Sequence, residues 1–282
     1  MSRNTIKTVV LLAFIGGLFM AVGELLDGGP GLIIAFVVAL LIVGYQYWNC
    51  DKIAIRAARA IPVTEQEMPQ YYATVRDLTQ RAGLPMPKLY VTHDRQPNAF
   101  ATGRNPQHAA VAVTEGILQI CTWDELKGVL AHELCHVGNR DTLLTSLAVS
   151  MALGITLLSR FALFFGGGRG GRRGGNPAEE LALIILAPLA AALLRLALSR
   201  SREYEADRCG ARMLGDGEPL ARALSKLETS ASQIPMQVRP EVSSMYIINP
   251  MTGRKMSMKN ILSDHPPTED RIARLRSREW AR

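Results

Sequence analysis

The chain has 282 residues, room for one or two domains. Almost half (48%) are apolar and only 6% aromatic, and the net charge is +7. A mean hydropathy of +0.09 is unusual for a soluble protein and reflects long aliphatic runs set in ordinary charged sequence. The Lys and Arg residues form no single stripe. They cluster beside the apolar runs and in the tail (Arg271, Arg274, Arg276, Arg278), as on the cytosolic side of membrane proteins, so nucleic acid is excluded as the expected partner.

The first apolar run, Thr5 to Leu26, is long enough to span a bilayer, which needs ~20 such residues. The second, Gly31 to Trp48, follows after Asp27-Gly-Gly-Pro-Gly31. No small-x-small cleavage site separates them, so a retained membrane hairpin is expected rather than a signal peptide. Arg3 and Lys7 precede it and Lys52, Arg56 and Arg59 follow it, which places both ends in the cytosol. Residues 1–49 form this first unit.

The polar stretch 50–141 comes next. Pro69 to Ala82 reads as a helix closed by Gly83. Lys88 to Thr92, Ala99 to Thr102 and Ala109 to Val113 read as short strands, and Thr114 starts a short helix. Thr122 and Glu125 form a capping-box pattern for the next helix.

That helix carries His132-Glu-Leu-Cys-His136. Histidines at i and i+4 lie on one helical face and both reach a single ion. Glu133, about a third of a turn away, flanks the ion and is placed to bond a water. The rest of the helix is apolar (Leu126, Val129, Leu130, Leu134, Val137), so the histidines are partly buried and a metal satisfies them.

Thr142 to Phe165 and Leu181 to Leu198 are the third and fourth membrane runs, the second hairpin of residues 142–198. The glycine-rich linker between them contains Arg169, Arg172 and Arg173. Arg160 and Arg195 lie near run ends, where snorkelling is the default.

Residues 199–282 are polar again. A catalytic zinc needs a third protein ligand and an open position. Asn139 and Thr142 stand where an extended HExxHxxGxxH motif would have its Gly and last His, so the ligand comes from elsewhere. Glu203 and Asp207, i and i+4 on a second helix, supply a candidate ligand and a carboxylate to orient a ligating histidine. A solvated, ion-paired helix surface is the other reading of this acidic cluster. Arg271 to Arg276 read as helical. Cys50, Cys121, Cys135 and Cys209 form no CxxC pair and suit a reducing compartment.

Several segments occur together in one order: the first hairpin, Pro97-Asn98-Ala99-Phe100-Ala101-Thr102-Gly103, Ala131-His-Glu-Leu-Cys-His136, the second hairpin, Ser201-Arg-Glu-Tyr-Glu-Ala-Asp207 and Ser263-Asp-His-Pro-Pro267. In this, over nearly its whole length, the chain resembles the HtpX-type heat-shock membrane metallopeptidases, relatives of the type I CAAX prenyl peptidases. The resemblance implies one Zn2+ per chain held by His132, His136 and Glu203, with Glu133 as base and Asp207 behind a histidine. It also implies that Asn98, Ala99 and Phe100 lie beside the substrate cleft and that His265 helps stabilise the transition state. Cys135 departs from the family's usual Ser and is expected to pack as a small residue.

The expected architecture is mostly α with a small β-sheet: four transmembrane helices plus a zincin-like cytosolic metallopeptidase domain. The expected activity is zinc-dependent endoproteolysis of misfolded or damaged membrane proteins, or unfolded proteins, at the cytosolic face of a multi-pass protein in a bacterial inner membrane. A CAAX-type peptidase and a non-catalytic zinc-stabilised scaffold are the competing expectations.

Overall fold

The computed structural model of the chain describes residues 3–166, 199–234, 240–243, 245–248 and 266–281. The fourth apolar run, most of the glycine–arginine linker and His265 lie outside the described residues.

Helix α1 runs from Arg3 to Ala57 with Pro30 inside it. Helical structure continues through residues 27–31, where a turn is expected from the sequence. Gly28 alone takes a positive φ (+56°), which glycine tolerates. Among the described residues one stretch, Gly28–Ala57, is long and apolar enough to cross a membrane. Ile33, Ile34, Leu40 and Leu41 point outward from it, an apolar surface suited to lipid. The helix also continues past Trp48, the expected end of the run. Its last turns bury Ala54 and Ile55 against Phe100, Ala112 and Tyr246, and this contact extends it.

A four-stranded mixed sheet follows, ordered β1-β2-β4-β3, formed by Ile61–Pro62 (β1), Lys88–Thr92 (β2), Ala99–Gly103 (β3) and Ala109–Thr114 (β4). β2 pairs parallel with β4, and β3 antiparallel with β4. Side chains alternate between faces. Leu89, Val91, Val111 and Val113 pack with Tyr71, Val75 and Leu78 of α2 (Pro69–Ala82). Phe100, Ala110 and Ala112 face the end of α1. The sheet thus separates two cores, one shared with α2 and the other with the end of α1.

After the short α3 (Glu115–Ile120), α4 (Trp123–Gly138) begins with both halves of its capping box formed. It is buried almost all round: α2, the sheet and two later helices cover it. One of these, α7 (Glu218–Gln233), approaches so closely that a Cβ on Gly128 would lie 2.6 Å from the Leu220 nitrogen. The other, α6 (Arg200–Leu214), crosses near His132, where Gly210 keeps the backbones close.

Helix α5 (Asp141–Gly166) starts within three residues of the end of α4. The sequence places a membrane run here, but its first turns are protein-packed. Leu144, Leu147, Val149 and Ala152 are buried. The Ser146 hydroxyl lies 2.6 Å from that of Thr102 and accepts from the Gly103 N–H. Beyond a single helical turn at Pro240–Ser243, α8 (Thr268–Arg276) packs against α6 and α7.

Candidate active site

His132 and His136 lie one turn apart on α4, and α6 brings Glu203 up to both. The His132 and His136 Nε2 atoms are 3.1 Å apart. Glu203 places one oxygen 3.7 Å from the first and the other 3.4 Å from the second. One ligand atom from each residue lies within 4.8 Å of the others. The Nδ1 atoms face carboxylates, so they are the donors: His132 Nδ1 lies 2.9 Å from Asp207 and His136 Nδ1 lies 3.0 Å from Asp141. Both Nε2 atoms are thereby turned inward, where they and the Glu203 carboxylate converge on one point, so the residues fit a metal ion. Two imidazoles and one carboxylate are donors suited to a divalent metal ion.

The electrostatics agree. Burial works to lower the His136 pKa, but Glu203 and Asp141 override it and hold the imidazole up at about 10. The same negative surroundings favour a metal cation. His132 is depressed, chiefly by burial, against the pull of Asp207. Burial pushes Glu133 up to about 7, with Glu203 adding and His136 opposing. The Ala101 N–H donates to its carboxylate. Glu133 is therefore poised for proton exchange near neutrality.

Asp207 is itself clamped. Arg271 of α8 donates to both its oxygens, at 2.8 and 2.7 Å, and to the Ile247 carbonyl at 3.1 Å. Burial would raise the Asp207 carboxyl, but Arg271 holds it below the usual range. Arg271, one of the basic cluster in the tail, is 1% exposed. No local pattern reveals a partner 64 residues away. Asp141 was also missed. Its only sequence signal is its place at the start of the helix that follows the motif. Arg202 lies 3.8 Å from its second oxygen.

The cleft at the centre, ≈ 40 Å³, has room for an ion and one or two waters and is lined by Ala101, Thr142, Arg202, Met245 and Tyr246 besides the two histidines, Glu133 and Glu203. Asn98, Ala99 and Phe100 do not line it. They stand behind its wall and hold it. Asn98 Nδ2 donates to the Ile248 carbonyl at 2.8 Å, the Ile247 N–H donates to the Ala99 carbonyl at 3.1 Å, and Phe100 packs edge-on to Tyr246 at 5.0 Å.

Cys135 does not sit as an isolated small side chain. It is disulfide-bonded to Cys209 of α6, with the Cα atoms 6.0 Å apart, whereas Cys50 and Cys121 are free.

Residues 65–279 match the profile of peptidase family M48. Proteins described as Protease HtpX homolog, from Burkholderia mallei and Burkholderia pseudomallei, are each 46% identical to this chain over 275 residues, covering 96% of either partner. The crystal structure of S. mikatae Ste24p superposes with a TM-score of 0.51 at 23% identity, over 96% of this chain and 65% of that one. That likeness is one of fold. The extent of the profile match, with the 46% identity, shows that this chain belongs to peptidase family M48.

Proposed function

We propose that the protein is a membrane-bound zinc endopeptidase acting at the cytosolic surface, with His132, His136 and Glu203 as ligands and Glu133 as the general base. The observation that carries this reading is the meeting of three ligand atoms within 4.8 Å beside a buried carboxyl. Bound zinc supplies Lewis-acid polarisation and lowers the pKa of a coordinated water.

The chain's own residues do the rest. Asp207 and Asp141 hold the two imidazoles with Nε2 toward the metal position. The Ala101 amide aims the Glu133 carboxylate. Glu133 takes the proton from the attacking water and delivers it to the leaving amine. His265, by its family position, acts on the developing oxyanion.

Four membrane spans root the site. α4 leads into α5 almost at once, and α6 begins directly after the fourth apolar run. The Lys/Arg distribution supports a cytosolic site in a bacterial inner membrane. Loops or tails of misfolded or damaged membrane proteins are the substrates within reach.

An extended substrate adds to β3 over a short span. The Asn98 carbonyl accepts from Thr114 of β4, so even-numbered carbonyls turn inward and odd-numbered ones outward. Ile247 already occupies Ala99, which makes the Ala101 carbonyl the next rung for substrate.

Cleavage of an unfolded casein-like protein by the full chain in detergent tests the proposal. Activity is expected to vanish on chelation and return with zinc. Undiminished cleavage after complete metal removal overturns it. Cleavage confined to a farnesylated peptide would favour the CAAX-type reading instead.

A further inference from the structure

We propose that Cys135 and Cys209 form a redox-reversible modification site that locks the two ligand-bearing helices together and so retains the metal under oxidising conditions. The inference rests on the zinc reading above.

Cys135 immediately precedes His136 on α4, and Cys209 lies two residues beyond Asp207 on α6. Their bond therefore joins the helices within a turn of His132, His136 and Asp207, and less than two turns from Glu203. The two cysteines are 74 positions apart, and α5 lies between them in the sequence. In the thiol form α4 and α6 are held without a covalent link, by packing of Gly210 against the His132 backbone and by the contacts of His132 with Asp207 and of His136 with Glu203. The bond adds a direct link, which restricts separation of the helices.

The site is reachable. A surface cavity of ≈ 480 Å³ opens on the bond, lined by Arg81, Leu84, Asn139, Glu205 and Met213. Cys135 is buried, but Cys209 is only partly covered. An incoming thiolate meets the Cys209 sulfur first. The cavity is lined by different residues from the metal cleft, so exchange there does not require displacing the ligands.

The chemistry balances with a low-molecular-weight thiol and its disulfide. On reduction, one thiolate attacks the Cys209 sulfur, the S–S bond breaks, and Cys135 leaves as a thiolate and takes a proton. A second thiol then attacks the mixed disulfide on Cys209. It releases the small disulfide and frees the Cys209 thiol. Two small thiols are oxidised as one protein disulfide is reduced, and oxidation is the reverse.

The test uses the full zinc-loaded chain in detergent, equilibrated with reduced and oxidised glutathione at a series of ratios. Thiols are alkylated after denaturation and counted by mass, and zinc release to a chromophoric chelator is timed. At oxidising ratios two alkyl groups are expected, on Cys50 and Cys121, and at reducing ratios four. Zinc release is expected to be about tenfold slower, or more, from the oxidised form, a modest part of what a disulfide usually confers.

Cys209→Ser should release zinc at the fast rate in both buffers and cleave casein as well as the reduced wild type does. The wild-type comparison stands without the variant if that fails to fold, and Cys209→Ala repeats it. Four alkyl groups at every ratio, or equal zinc release once the bond has formed, would overturn the proposal. A redox-dependent release rate with no casein cleavage in any sample would support the clamp and count against the peptidase reading alone.

Discussion

Arg271 is the residue whose role depends most on the fold. It is a fully buried guanidinium that matches Asp207 with two parallel hydrogen bonds, and Asp207 in turn faces His132. Removing one partner of such a pair leaves an uncompensated buried charge, which typically costs about 3–5 kcal/mol. Arg271→Met is therefore expected to lower thermal stability by that order and to weaken zinc binding, both measurable on the chelated and reloaded protein. Unchanged unfolding would contradict the clamp. Asp207→Asn keeps the shape but loses the charge behind His132. A loss of roughly 10- to 100-fold in zinc affinity is expected by competition with a chelator. His136 supplies a pH signature in the metal-free protein. Its folded-state pKa is raised, so the stabilisation it gives is complete below the unfolded value of about 6.5. It is lost as pH climbs through about 10. Melting temperature should fall across that interval, and Glu203→Gln should flatten the fall. An equally steep fall in the variant would count against Glu203 as the cause.

The elements divide into those with local signals and those without. The capping box at Thr122 and Glu125, the left-handed Gly83 after α2 and the alternating strands are encoded within a few residues and were legible. So was the pairing of histidines on one face of α4. Helix α7 and the segment 245–248 went unread, although both shape the site's surroundings. α7 covers α4, and the segment closes the cleft wall through Asn98 and Ala99. The Gly128–Leu220 and Asn98–Ile248 contacts that do so are made across more than 80 residues of sequence. The same holds for Cys135 and Cys209, whose meeting depends on how α6 crosses α4. At this scale Gly128 is the sensitive position. An added Cβ meets backbone atoms of Pro219 and Leu220, which cannot rotate aside as a side chain tip would. Gly128→Ala is expected to destabilise by about 1–3 kcal/mol, the usual overpacking cost, read as a shift in the thermal midpoint. A neutral result would mean that α7 moves freely on α4.

At the scale of the molecule, the sheet sits between a core shared with α2, α4 and α7 and a core shared with α1 and α5. The peptidase domain is thus continuous with its apolar helices rather than tethered to them. This explains why α1 outruns the expected span and why the first turns of α5 are buried in protein, although both read from sequence as membrane. Arg104 adds a contact at the junction: its guanidinium stacks over Trp48 at 4.8 Å and donates to that residue's carbonyl. Reporter fusions in a bacterial host should place residues 52 and 282 in the cytosol and residue 172 outside. A cytosolic reporter at 172 would remove the second hairpin from the account. The central claim, that Glu133 works as a base beside a metal held by His132, His136 and Glu203, is tested most directly by Glu133→Gln. Casein cleavage and zinc content should be measured on the same preparation. The expected result is one zinc per chain, as in wild type, with the rate reduced by about 10²- to 10⁴-fold. Wild-type cleavage by a zinc-loaded variant would contradict it.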